Sequence, residues 1–148
     1  PVERIVVVMG PYREVGGVIG AIFADEIECV ILIAESAAKQ SKRNIIPEIM
    51  GVSSFDKALE FAKSLDMILV PYENKEGMAA TIEALKELPK VKTVGIFIGP
   101  EGGFAPEEVE FAKENGVITA TLGPRILRTE TAPLAALSIL MYITGNME

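Results

Sequence analysis

The chain has 148 residues, 49% of them hydrophobic, which excludes a disordered polypeptide and leaves room for one domain with a substantial core. Fourteen Lys and Arg stand against 21 Asp and Glu; the net charge of −7 excludes general adhesion to nucleic acid or anionic membrane and restricts any RNA contact to a local patch. With no histidine and a single cysteine, Cys29, the chain has no internal disulfide, no usual zinc set and no His-based triad, so a reduced, cytoplasmic setting without metal is expected.

"RIVVVMG", Arg4 to Gly10, is a β-branched run closed by Gly-Pro and reads as a buried strand and a turn. The start carries neither a basic leader nor a cleavage site, and opening on Pro1 without Met suggests a fragment or a processed chain. No apolar run reaches the roughly 18 residues of a membrane span. Residues 12–24 show little periodicity. From Asp25 to Arg43 strand and helix signals compete; acids at the start and Lys39, Lys42 and Arg43 at the end suit a helix dipole and favour helix.

"NIIPEIMGV" reads as an extended piece broken by Pro47. "SSFDKALEFAKSL" follows as a helix with a serine cap and Phe55, Ala58, Leu59 and Ala62 on one face. Met67 to Val70 is a buried strand that stops at Pro71. "KEGMAATIEALKEL" is an amphipathic helix expected to turn Ile82, Leu85 and Leu88 inward. "TVGIFIG" is the next strand. "PEEVEFAKENG" is a helix with Pro106 at its first position, acids in its first turn and Gly116 as its stop. "VITATLG" is a strand again, and Ala132 to Ile143 is a helix so apolar all round that burial on more than one side is expected. Strands alternating with helices predict a mostly parallel sheet covered on both faces, in one domain spanning residues 1–148.

In such a sheet ligands bind beyond the carboxyl ends of the strands, where three loops of unusual make-up follow one another: "VPYE", "IGPEGGF" and "LGPRILRTE". They are expected to converge. "GPEGGF" fits neither the Walker nor the dinucleotide pattern, and Glu101 places negative charge where a phosphate needs the opposite. A neutral or cationic guest is implied. The plainer alternative is that Gly99, Gly102 and Gly103 only make a turn, with Glu101, Glu107 and Glu108 near a helix N-terminus for its dipole. In the second loop, Thr129 or Thr131 is a candidate cap for the following helix. Arg125 and Arg128 beside a helix N-terminus oppose its dipole, however, and so call for another role.

Together, "IGPEGGF" and "TLGPRILRTETA" resemble the signature of the RsmE-type ribosomal RNA methyltransferases, SPOUT or α/β-knot enzymes that methylate N3 of a uridine in small-subunit (16S) ribosomal RNA. "ESAAKQSKRNIIPEI" and "LVPYE" resemble further motifs of that family. The resemblance runs from about Asp25 to the C-terminus. Residues 1–24 match it poorly, and the family's N-terminal PUA-like RNA-binding barrel is not in the sequence. Ala105 stands where the family usually has a serine cap, and Pro133 where a small residue is commoner.

The resemblance implies a C-terminal deep trefoil knot, a homodimer and S-adenosyl-L-methionine as cofactor. It implies a cofactor site built from Pro71, Tyr72, Ile98, Gly99, Pro100, Gly102, Gly103, Leu122, Gly123, Arg125, Ile126, Leu127, Thr131 and Ala132. Gln40 and Arg43 would reach RNA, although basic residues at a helix C-terminus also suit its dipole. Loss of the uridine N3 proton requires a base or a cation that stabilises the anion. Arg128 is the candidate for the cation, with Glu101 or Glu130 as proton acceptor or as the group that orients the arginine; an Arg128–Glu130 ion pair that only shapes the loop is equally consistent. Two other classes stay open: a non-catalytic S-adenosylmethionine-binding knotted domain lacking its RNA-recruiting part, and a plain α/β domain. Weak methylation by this chain alone is expected, because the barrel that would recruit RNA is missing.

Overall fold

The computed structural model describes residues 4–9, 32, 34–42, 44–50, 53–72, 77–100 and 102–145, with the backbone alone for residues 4–9 and 80. The chain divides into two compact units, residues 1–12 with 54–148, and residues 13–53.

The larger unit is a four-stranded parallel sheet of β1 (Arg4–Met9), β2 (Met67–Pro71), β3 (Thr93–Ile98) and β4 (Ile118–Ala120), in the order β1-β3-β2-β4. Its helices are α2 (Phe55–Ala62), α3 (Gly77–Leu85), α4 (Pro106–Glu114) and α5 (Ala132–Ile143), with a 3₁₀ turn at Leu88–Lys90. The α/β parallel architecture expected from the alternation is observed. β4 is shorter than "VITATLG" suggested, because only Ile118 to Ala120 pair with β2.

Successive strand residues alternate between two cores, as the period of two requires. Ile68, Val70 and Phe97 pack with Leu59 and Ala62 of α2 and with Val109 and Ala112 of α4. Met67, Leu69, Val94, Ile96 and Ile98 pack on the other face with Ala136 and Leu140 of α5. Phe97 and Leu59 are essentially fully buried, and each large apolar side chain so placed contributes about 1.5–3 kcal/mol.

Local signals explain most helix ends. The Ser54 hydroxyl accepts the Lys57 N–H at the start of α2. The Glu108 carboxylate accepts the Ala105 N–H at 2.7 Å, which is the half of a capping box available when alanine holds the cap position. α4 closes where Gly116 N–H meets Lys113 O and Val117 N–H meets Ala112 O. α5 differs from expectation: neither Thr129 nor Thr131 caps it through a side chain. The Arg128 carbonyl accepts the N–H groups of both Thr131 and Ala132 instead.

Two readings of inward faces need correction. In α3 it is Thr81, 3% exposed, that is buried, while Ile82 is 52% exposed; Leu85 is partly buried, and Leu88 is buried on the 3₁₀ turn rather than on the helix. The inward row of this short helix is therefore Thr81 and Leu85, four residues apart. α5 buries one face only, through Ala136 and Leu140; Leu134 and Tyr142 stand 66% and 78% exposed.

In the smaller unit the described residues form one helical stretch, α1 (34–40), followed by residues 44–50 without regular structure. Ala38 is buried, and Lys42 at the end of the helix adopts a positive φ of 56°. The helix preferred for the ambiguous segment is thus present over its described part. The assignments made for Asp25 to Ile31 and for Arg43 lie outside the described residues.

Candidate functional site

β2, β3 and β4 run parallel, so "VPYE", "IGPEGGF" and "LGPRILRTE" all leave the same edge of the sheet. The first and third loops are joined directly by the Tyr72 N–H donating to Ala120 O at 2.8 Å. The Tyr72 side chain turns to the α2–α4 core.

The glycine loop is held by its own geometry. A Cβ on Gly99 would lie 3.2 Å from the Phe104 ring and 3.3 Å from the Phe104 nitrogen, so glycine lets the chain fold back over that side chain. Gly103, at φ +70°, donates its N–H to Pro100 O at 2.8 Å and closes the turn. Phe104 is buried beside Phe55, with ring centroids 5.9 Å apart. Pro100 is partly exposed, and Gly102 and Gly103 face solvent. Glu101, which raises the charge question in this loop, lies outside the described residues.

The arginine loop begins at Thr121. Its N–H donates to the Thr81 hydroxyl at 2.8 Å, and its own hydroxyl pairs with Gly123 O and Gly123 N–H. Beyond it, Arg125, Arg128, Glu130 and Thr131 are exposed, as is Ile126 at 83%, while Leu127 and Ala132 are partly buried. Arg128 and Glu130 form no ion pair, and among the described residues neither Arg125 nor Arg128 meets a carboxylate within ion-pair distance. Lys63, Lys86, Lys90 and Lys113, by contrast, each meet a glutamate three residues earlier. The loop thus presents guanidinium charge beside the start of α5, where the helix dipole does not favour it.

Between the loops and the helices lies a cavity of about 110 Å³. Pro71 and Leu122, both expected at the site, line it together with Thr81, Leu85, Ala136 and Leu140. Ile98 is buried on the same face of the sheet, packed with the α5 cluster. Walls of this kind with few polar groups suit a small, flat, largely apolar guest.

Residues 22–141 match the family described as RNA methyltransferase domain. The chain belongs to that family. It is 46% identical over 115 residues to ribosomal RNA small subunit methyltransferase E of Bacillus subtilis (strain 168), covering 76% of this chain and 45% of that protein. The same enzyme of Buchnera aphidicola subsp. Schizaphis graminum (strain Sg) is 38% identical over 119 residues, covering 78% and 45%. The chain therefore spans about half the length of these curated relatives. Among solved structures, ribosomal RNA small subunit methyltransferase E from Neisseria gonorrhoeae bound to S-adenosyl methionine aligns with a TM-score of 0.77 at 27% identity, covering 95% of this chain and 66% of that one. A putative methyltransferase from Legionella pneumophila with bound cofactor gives a TM-score of 0.74 at 27% identity, covering 96% and 66%.

The span matched to the methyltransferase domain family contains all three loops and most of α5. Its beginning at residue 22 accords with the resemblance starting near Asp25. Gln40 is exposed on α1 in the smaller unit, and Arg43 lies outside the described residues. Sequence reasoning missed the helical half of the cavity, Thr81, Leu85, Ala136 and Leu140. The one available signal was a β-branched polar residue, Thr81, inside the apolar run from Met78 to Ile82. Among the described residues no group of three or more Cys, Asp or Glu side chains could hold a metal, and no helix is long and apolar enough to cross a membrane.

Proposed function

We propose that this chain is an S-adenosyl-L-methionine-dependent methyltransferase acting on N3 of a uridine in small-subunit (16S) ribosomal RNA, with residues 1–148 as one SPOUT domain whose C-terminal segment forms a trefoil knot. The observation that carries this reading is that, inside the family-matched span, three loops leave one sheet edge and two of them, through Pro71 and Leu122, line an apolar cavity. A cytoplasmic location follows from a ribosomal RNA substrate.

The residues present fit the cofactor. It supplies a methyl group on a sulfonium cation and carries no phosphate, which agrees with loops that offer backbone groups, Glu101 and apolar walls in place of a lysine cradle. The adenine would enter the cavity past Pro71 and Leu122. Backbone groups of Ile98 to Gly103 and of Gly123 to Leu127 would hold the ribose and the tail, with Thr131 and Ala132 closing the rim; Tyr72, whose side chain packs on the α2–α4 core, would take part through its backbone. Arg128, exposed and without a carboxylate partner among the described residues, is available to stabilise the uridine as its N3 proton leaves. Glu130 or Glu101 accepts that proton or orients the guanidinium, and Arg125 supports the cofactor side of the loop. Gln40 and Arg43 contact RNA. The exposed Leu134 and Tyr142 on an otherwise apolar α5 support a homodimer that covers this face.

Calorimetry with S-adenosylmethionine and transfer of labelled methyl to undermethylated small ribosomal subunits test the reading. Saturable binding with incorporation at a uridine N3 is expected. Binding without incorporation would favour a non-catalytic cofactor-binding domain, and no binding at all would overturn both readings.

A further inference from the structure

Thr81 lies mid-way along α3 with almost none of its surface exposed, where intrinsic propensity favours alanine or leucine. Its hydroxyl oxygen accepts the Thr121 N–H, which fixes the first residue of the arginine loop to the helix. A hydroxyl also carries one proton to donate. Among the described residues nothing accepts that proton, yet Thr81 lines the cavity. The other threonine in the lining, Thr121, has its hydroxyl engaged with Gly123. Buried hydroxyls are ordinarily satisfied, so an unused donor at an apolar cavity points to a guest that satisfies it.

We propose that Thr81 determines specificity at this site: its hydroxyl donates a hydrogen bond to a ring nitrogen of a purine seated in the cavity. The inference rests on the reading of the cavity as the place of the cofactor's adenine. Leu69, Ile96, Leu122 and Leu140 offer the ring apolar walls, and a single donor among them orients the ring without adding much bulk attraction. The bond received from Thr121 polarises the hydroxyl in the direction that strengthens its donation. Ring placement and loop anchoring therefore meet on one oxygen atom.

The test is calorimetric binding of S-adenosylhomocysteine and its 1-deaza, 3-deaza and 7-deaza analogues, in each of which C–H replaces one ring nitrogen, to the wild-type protein, Thr81→Ser and Thr81→Val. One analogue is expected to bind wild type and Thr81→Ser about tenfold more weakly than the parent, the effect of one neutral hydrogen bond. Thr81→Val should bind the parent about tenfold more weakly and no longer distinguish that analogue. If Thr81 only anchored Thr121, the valine variant would lose affinity for all four ligands alike and keep the wild-type ranking, which would overturn the proposal. Equal binding of all four ligands by wild type would overturn it too. Binding of none would instead sink the cofactor reading beneath it. Should Thr81→Val fail to fold, Thr81→Ala supplies the same comparison.

Discussion

At the amino edge of the sheet, Asp66 ties β2 to β3 through a closed set of hydrogen bonds: its carboxylate accepts the N–H groups of Lys92 and Thr93 at 2.9 Å and the Thr93 hydroxyl at 3.0 Å. That same hydroxyl in turn accepts the Asp66 N–H at 2.9 Å. At the carboxyl edge no such charged clamp occurs among the described residues. A single bond, Tyr72 to Ala120, joins two of the loops and another, Thr121 to Thr81, ties the arginine loop to α3, and Arg125 and Arg128 have no carboxylate partner among the described residues. Each edge faces water, so exposure does not explain the contrast. A charge whose hydrogen bonds are already met inside the chain fixes structure, whereas cations left open on an exposed loop are available to a ligand. The comparison predicts that changes at the two edges separate cleanly, catalysis at one and stability at the other.

The largest effect is expected from Arg128→Ala. Removing one preorganised group that stabilises charge in a transition state lowers turnover by roughly 10²–10³-fold. Its side chain is exposed and makes no ion pair among the described residues, so the thermal midpoint should stay where it was. Cofactor affinity should change little. Single-turnover methyl transfer alongside thermal unfolding checks the pair of outcomes. Unchanged turnover with unchanged binding would remove Arg128 from the chemistry and blur the contrast between the edges.

Filling the cavity comes next. Ala136 is buried at its wall, and Ala136→Leu places the added carbons in existing space rather than against packed atoms. Stability should hold or rise slightly, in contrast to the 1–3 kcal/mol typical of overpacking a filled core. Affinity for S-adenosylmethionine should fall by about tenfold or more, each tenfold step being about 1.4 kcal/mol. Loss of stability without loss of affinity would show that the cavity is ordinary packing and lies off the cofactor path.

These two sites were unequally legible in the sequence. Arg128 lies in a loop bounded by Gly123 and the start of a helix, and the conflict between its charge and the helix dipole is a local signal that needs no knowledge of tertiary structure. β2 and β3 were equally plain, as apolar runs stopped by Pro71 and Gly99. The cavity was not. Met78, Ala79, Ala80, Ile82, Ala84 and Leu85 put apolar residues on nearly every side of α3, so the pattern fixes no phase. What selects the inward row is an N–H at Thr121, forty residues further on, that needs an acceptor. α5 has the same degeneracy: its composition is apolar nearly all round, and packing against β2, β3 and the 3₁₀ turn decides that Ala136 and Leu140 face the core while Leu134 faces out. The capping of α5 was illegible for a related reason, since a backbone carbonyl, that of Arg128, does the work assigned to a threonine side chain, and backbone groups leave no mark in composition.

The smallest effect, and the one that tests the amino edge, concerns pH. The N–H groups of Lys92 and Thr93, and then the Thr93 hydroxyl, hold the Asp66 carboxyl below its ordinary value of 3.8. A carboxyl whose pKa is depressed in the folded state binds protons less readily there than in the unfolded chain. Its contribution to stability is therefore complete above about pH 4 and disappears as pH falls through the depressed value. Asp66→Asn keeps an oxygen that can accept one or two of the same bonds but has no charge to lose. Thermal midpoints of wild type and variant, followed from pH 7 downward, should differ by a modest, constant amount to about pH 4 and converge below it. Cofactor affinity at pH 7 should be the same for both. A gap that persists unchanged at the acid end would mean that the carboxylate's charge adds nothing to the clamp. A fall in affinity would mean that strain introduced at the amino edge travels along β2 and β3 to the loops, so that the edges act as one device.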